Sequence, residues 1–190
     1  HSSMYVMNSN MSNRFTPNER VTSPYEQTLE IIQPESSTFD GRLESYYFVD
    51  WLVYMDQYFE CYNIPESRKV HEASLRLTGA AKQYWNNLEL VRDMRGLHSI
   101  NNWTIMSDEL KQNDLPPCSR ARVLDQWDRC IQGDQPVREY IARFEKFRLR
   151  CSVFGPEYFI QILNRFRIGL HGDIKVKLND QRIDHIKRAY

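Results

Sequence analysis

His71 and Glu72 stand side by side like the first half of a zinc-protease pattern, in which two histidines one helical turn apart hold the metal and the glutamate draws a proton from water. No second histidine follows at that spacing, and His1, His98, His171 and His185 are scattered along the chain. The pair reads better as a solvated helix face. Cys61, Cys118, Cys130 and Cys151 are separated by 57, 12 and 21 positions, which fits neither a C-x-x-C metal clamp nor a dense disulfide framework, so reduced thiols are expected. There is no Asp-Thr-Gly or Asp-Ser-Gly protease signature, no Gly-x-Ser-x-Gly elbow and no Gly-Lys-Ser/Thr phosphate loop. The expectation is therefore a non-enzyme with no catalytic residue, no metal and no cofactor. One further cluster could do chemistry of another kind. Arg138, Arg143, Lys146, Arg148 and Arg150 crowd one stretch beside Tyr140, Phe144 and Phe147, and basic charge among rings is how single-stranded RNA is gripped. The main reading is a core on one face and solvated charge on the other, diluted by Glu139 and Glu145; RNA contact through Arg138, Lys146, Arg148 and Arg150 is the second.

The elements that must position these residues are constrained by composition. The 190 residues are 41% apolar and 26% charged, an ordinary globular balance that excludes a fibrous chain. The 25 basic and 25 acidic side chains cancel, which removes any global drive toward nucleic acid or an anionic membrane. The balance is uneven along the chain: −2 over residues 1–38, −4 over 39–115 and +6 over 116–190. The longest apolar stretch, Tyr46 to Met55, is interrupted by Asp50 and is too short to span a bilayer. With no charged-then-apolar leader at the start, a cytoplasmic protein without a membrane role is expected. His1-Ser2-Ser3-Met4 reads as the remnant of an expression tag.

Residues 1–38 are rich in Ser, Asn, Thr and Pro and lack a sustained period, the composition of a flexible arm. From Phe39 onward, glycines and prolines separate stretches of helical period. Tyr47, Phe48, Trp51, Leu52, Met55, Phe59 and Tyr62 form one stripe, and Ala81, Tyr84, Trp85, Leu88 and Val91 another. A short helix from about Glu66 to Leu77 lies between them, with Pro65 suited to its first turn, and Trp103, Met106 and Leu110 mark a fourth after the cap candidates Asn101 and Asn102. Val123, Leu124, Trp127 and Ile131 give a fifth. Tyr140, Ile141, Phe144, Phe147 and Cys151 give a sixth, Phe159, Ile162, Leu163 and Phe166 a seventh, and Ile174 to about Ile186 an eighth. No run alternates like a strand, so the fold class is all-α. Pro116-Pro117 cuts it into two small helical lobes, 39–115 and 116–190, each about 75 residues and marginal alone, which makes association between copies physically reasonable.

Read in order, these residues resemble the Gag capsid region of gypsy-type LTR retrotransposons, itself related to retroviral capsid protein. The marks in the first lobe are Phe39-Asp40-Gly41, Asp50-Trp51-Leu52, Tyr62-Asn63-Ile64-Pro65-Glu66, Arg68-Lys69-Val70, Leu75-Arg76-Leu77-Thr78-Gly79-Ala80-Ala81 and Trp85-Asn86-Asn87-Leu88, then Trp103, Met106 and Leu110. In the second lobe, Gln132 to Phe144 resembles the retroviral major homology region leading into its helix, and Arg165-Phe166 with Gly169-Leu170 continue the transposon pattern. The resemblance implies that the two lobes are the N- and C-terminal capsid domains. It also implies that Gln132 and Arg143 hydrogen-bond across the turn, that Gly133 supplies backbone freedom before Pro136, and that Tyr140 and Phe144 anchor the helix. Two departures stand out. Where the retroviral motif has a Glu between its Gly and Pro, the loop here is one residue shorter and offers only Asp134 and Gln135, and the aromatic common before the interlobe prolines is replaced by Asn113-Asp114-Leu115.

The function so implied is a structural capsid that assembles with copies of itself into cytoplasmic virus-like particles around the element's RNA. The Cys-His knuckle with which Gag proteins grip RNA is missing, so RNA contact is expected mainly through a segment outside this chain. The related retroviral lobe makes a two-fold contact through the helix after the homology region, which points to Tyr158, Ile160, Ile162 and Arg165 as a dimer helix. The rival expectation is a domesticated, monomeric Gag adaptor that binds peptide or protein ligands in a groove between helices.

Overall fold

Phe39 enters the protein between two backbone strands' worth of partners: its N–H donates to the Arg76 carbonyl at 3.0 Å and its carbonyl accepts from Thr78 N–H at 2.8 Å. This short parallel bridge to Leu77 is the sole β-pairing among the residues that the computed structural model describes, 37–180, with side chains to 177. The expected arm, 1–38, and the far end of the expected eighth helix lie almost wholly outside those residues. The bridge explains two sequence marks at once. A methyl group on Gly41 would sit 2.8 Å from the Ala81 nitrogen, and one on Gly79 would sit 2.9 Å from the Asp40 carbonyl oxygen, so Phe39-Asp40-Gly41 and Thr78-Gly79-Ala80-Ala81 interlock main chain against main chain.

Eight α-helices follow among the described residues: α1 (Ser45–Cys61), α2 (Glu66–Leu75), α3 (Gly79–Met94), α4 (Trp103–Asp114), α5 (Ser119–Asp128), α6 (Val137–Ser152), α7 (Phe159–Gly169) and α8 (Gly172–Asp180). Burial of the apolar stripes drives their packing. Helix α1 buries Phe48, Trp51, Leu52, Met55 and Phe59, and rings carry that core forward: Trp51 meets Trp103 edge-on at 6.0 Å and Phe59 meets it at 5.2 Å. Trp103 is fixed by its polar atoms as well. Its backbone N–H donates to Glu66 at 2.8 Å and its indole N–H to Asp56 at 2.7 Å, while Asn102 caps α4 by accepting from Ile105 N–H at 3.1 Å. The second core gathers Val123, Trp127, Tyr140, Phe144, Phe166 and Leu170.

Several stripe residues end elsewhere than the period predicts. Helix α5 stops at Asp128, so Ile131 falls in the following turn and is exposed. Tyr62 lies one position past α1 and covers the Tyr58 ring from outside, at 4.9 Å. Val91 is exposed because α3 buries only Ala81 and Trp85 and runs beyond the core. Phe159, the first residue of α7, is also exposed. Nor does the division of the cores follow the proline pair. Leu149 and Val153, at the end of α6, are buried in the first core, while Phe144 and Cys151 of the same helix belong to the second.

Candidate functional site

The turn from Gln132 to Pro136 joins α5 to α6, and its chemistry is concentrated in one buried amide. The Gln132 side chain accepts from His171 N–H at 2.9 Å and donates to the Gln135 carbonyl at 3.0 Å, while its backbone N–H donates to the Gly169 carbonyl at 2.7 Å. A buried amide so satisfied fixes one geometry, because any displacement strands polar atoms away from water. It ties the turn to the end of α7 and the start of α8. Gly133 takes φ +57°, the left-handed region that a side chain resists. Pro136 holds the N-cap position of α6 with φ −55°. Arg143 donates to the Ile131 carbonyl at 2.8 Å. Gln132 and Arg143 thus bond across the same turn through separate partners, and the shorter loop is closed without the missing Glu.

Tyr140 and Phe144 are the anchors. The Tyr140 hydroxyl donates to the Phe166 carbonyl at 2.8 Å, burial raises its phenol far above the ordinary value, and the rings of Tyr140 and Phe144 lie 5.4 and 5.1 Å from that of Phe166. Gly169 passes directly beneath: a methyl group there would overlap the Tyr140 hydroxyl and stand 2.6 Å from the Cys130 carbonyl oxygen. Cys130 and Cys151 are buried thiols, and burial pushes Cys151 up to about 12, which leaves it almost wholly protonated and a poor nucleophile. Cys61 and Cys118 are likewise free thiols, Cys118 exposed.

The residues of the expected dimer helix divide. Tyr158, Ile160 and Ile168 are 75, 59 and 69% exposed, a set of large apolar side chains on α7 and its threshold, and Ile162 is half-buried against the second core. Arg165 is turned inward instead. It donates to Asp128 at 2.8 Å and Glu157 at 3.2 Å, and its guanidinium lies 4.7 Å from the Trp127 ring centre, so it braces α7 against α5.

The expected basic surface divides in the same way. Arg138 is exposed on the first turn of α6 and Lys146 is half-buried. Arg148 pairs with Glu145 of its own helix at 2.7 Å. Arg150 reaches Asp50 of α1 with two bonds of 2.6 Å each, a bidentate contact between the two halves of the chain that takes this guanidinium away from any RNA. The sequence signal for that pair was Asp50 itself, a lone charge inside an apolar stretch. Nothing comparable marked His171 as the partner of Gln132, since the bond is to its backbone.

Between α1, α4 and the end of α6 lies a cleft of about 600 Å³, lined by Asp56, Phe59, Glu60, Lys69, Trp103 and Ser152. Asp56 accepts the Trp103 indole N–H there, and desolvation raises its carboxyl above the usual range. The expected solvated pair divides: His71 is exposed on α2, whereas the Glu72 side chain is largely covered, held by Arg68 at 2.7 Å and Arg76 at 3.2 Å. Among the described residues no group of three or more His, Cys, Asp or Glu side chains is placed to hold a metal, and no helix is long and apolar enough to cross a membrane.

Comparison with known proteins places the first half. Residues 32–114 match the family described as retrotransposon-derived protein PEG10, N-terminal capsid-like domain, a stretch that takes in the Phe39 bridge and α1 through α4 and ends before α5. No curated protein and no solved structure matches the chain.

Proposed function

We propose, from a chain whose residues 32–114 match a capsid-like domain family of retrotransposon origin, that this protein is the capsid component of an LTR retrotransposon, self-assembling into cytoplasmic virus-like particles that enclose the element's RNA. The observation that carries the reading is the order of parts: the capsid-like domain is followed by a second helical unit closed by the Gln132 turn, with Tyr140 and Phe144 locked beneath it. The exposed side chains of Tyr158, Ile160 and Ile168 supply surface on which copies meet around a two-fold axis, each subunit presenting the same patch to the other. Each contact is weak, and repetition around a closed shell converts weak contacts into a stable particle. Arg138 and Lys146 add modest basic charge, and the larger share of RNA binding falls to a segment outside this chain.

The second reading, a domesticated Gag adaptor, draws support from the cleft beside Asp56 and Trp103, a concave site with acidic, basic and aromatic walls. Sedimentation and negative-stain microscopy across salt and protein concentration distinguish the two. Large closed particles that appear as salt screens the subunits' charge support the capsid. A monomer at every concentration and salt refutes it and favours the adaptor.

A further inference from the structure

The two cores meet through a narrow contact at the end of α6. Over five residues this helix serves both sides: Leu149 and Val153, four apart, enter the first core, Cys151 enters the second, and Phe154 packs against both. Between them Arg150 grips Asp50 through both carboxylate oxygens, with the two side chains only 13 and 16% exposed. Elsewhere the halves are joined covalently by residues 115–118 alone, where Pro116-Pro117 stiffens the tether and Ser119 N–H closes a turn onto the Pro116 carbonyl at 2.9 Å. Past the end of α6 the halves are separated by open space: the 600 Å³ cleft and a second hollow of about 200 Å³ adjoin each other there, both lined by Asp56, Trp103 and Ser152.

A largely covered charge pair inside such a contact behaves unlike an apolar seam. Closed, it satisfies both ions with good geometry. Partly open, it would leave two poorly solvated charges facing each other, so intermediate separations are disfavoured and the contact is either made or fully released. The apolar plugs Leu149 and Val153 move with it, being on the same turn.

We propose that Asp50 and Arg150 form a latch that closes the two halves on each other in a single orientation, and that its release, pivoting on residues 115–118, is the conformational change built into this fold. Opening would merge the two hollows into one groove along α1 and α4, with Asp56 and Trp103 on its floor. The latch is independent of whether the protein assembles.

The test measures distances between spin labels at Arg95→Cys, just past α3, and Gln126→Cys on α5, in the full chain with Cys61 and Cys118 replaced by serine; Cys130 and Cys151 are buried. A single narrow distance is expected for the parent. Arg150→Gln and Asp50→Asn should each raise a second, longer population by about tenfold or more, whereas Arg148→Gln, whose pairing lies within α6, should leave the distribution unchanged. Circular dichroism checks that each variant is folded. Should Arg150→Gln fail to fold, Arg150→Lys, which keeps the charge and loses the two-pronged grip, takes its place, and a longer population is expected there too. A broad distribution in the parent, or folded latch variants with the parent's distances, overturns the proposal.

Discussion

Replacing Gly169 by alanine adds a single methyl group where none fits. In the folded protein that group would overlap the Tyr140 hydroxyl, lie 2.8 Å from the ring carbon bearing it and 2.6 Å from the Cys130 carbonyl oxygen. The Cys130 carbonyl belongs to the main chain and cannot swing away, so Tyr140 must give. Moving it breaks the 2.8 Å bond to the Phe166 carbonyl and strands a buried hydroxyl. Overpacking of this kind costs about 1–3 kcal/mol, and a buried polar group left without a partner about 1–3 kcal/mol more, so Gly169→Ala should lose about 2–6 kcal/mol in urea unfolding followed by circular dichroism. Tyr140→Phe alone should cost about 1 kcal/mol, the worth of one hydrogen bond. Combined, the two should cost less than their sum by about 1 kcal/mol, because the phenyl ring still crowds the methyl group but no hydroxyl remains to be stranded. A loss below about 1 kcal/mol for Gly169→Ala, or strict additivity in the double variant, would refute the steric account of this turn.

Gln132→Ala should destabilise by about 2–3 kcal/mol, read by thermal unfolding, and should abolish slow hydrogen exchange at the His171 amide, since the side chain bonds both the Gln135 carbonyl and that N–H. Burial holds the Asp56 carboxyl above its ordinary 3.8, so the folded state binds the proton more tightly than the unfolded chain and this group's contribution falls as pH rises from 3.8 through the folded value. Asp56→Asn keeps an acceptor for Trp103, and its stability relative to the parent should improve across that window and stay level above it, as a pH series of melting curves would show. Thiol alkylation followed by mass spectrometry should modify exposed Cys118 first and half-buried Cys61 next, with Cys130 and Cys151 reacting only on unfolding; early modification of Cys151 would contradict its burial.

Helical period proved sufficient to find the elements, because a stripe such as Phe48, Trp51, Leu52, Met55 and Phe59 has no alternative way to leave water. It was a poorer guide at helix ends. Tyr62, Val91, Ile131 and Phe159 keep the period but stand where the helix has ended, has just begun or has outrun its core, and period carries no information on where a core stops. The Gln132 turn was visible as an ordered string of residue types. Its closure was not, since the bonds of Gln132 and Arg143 all end on backbone groups, the His171 amide and the Gly169, Gln135 and Ile131 carbonyls, which any residue would offer. In the basic cluster on α6 the partners were equally hidden: Arg148 and Arg150 are alike in composition, yet one pairs locally and the other across a hundred positions of chain.

The interlock of Gly41 with Gly79 restricts this protein's future variation in an unusual way. Each clash is with peptide atoms of the opposite segment, the Ala81 nitrogen in one case and the Asp40 oxygen in the other. Shrinking a neighbouring side chain therefore cannot make room, and no second-site change at one glycine would license a larger residue at the other. The two sites must each stay bare on their own account, so the strap tolerates change only outside this pair.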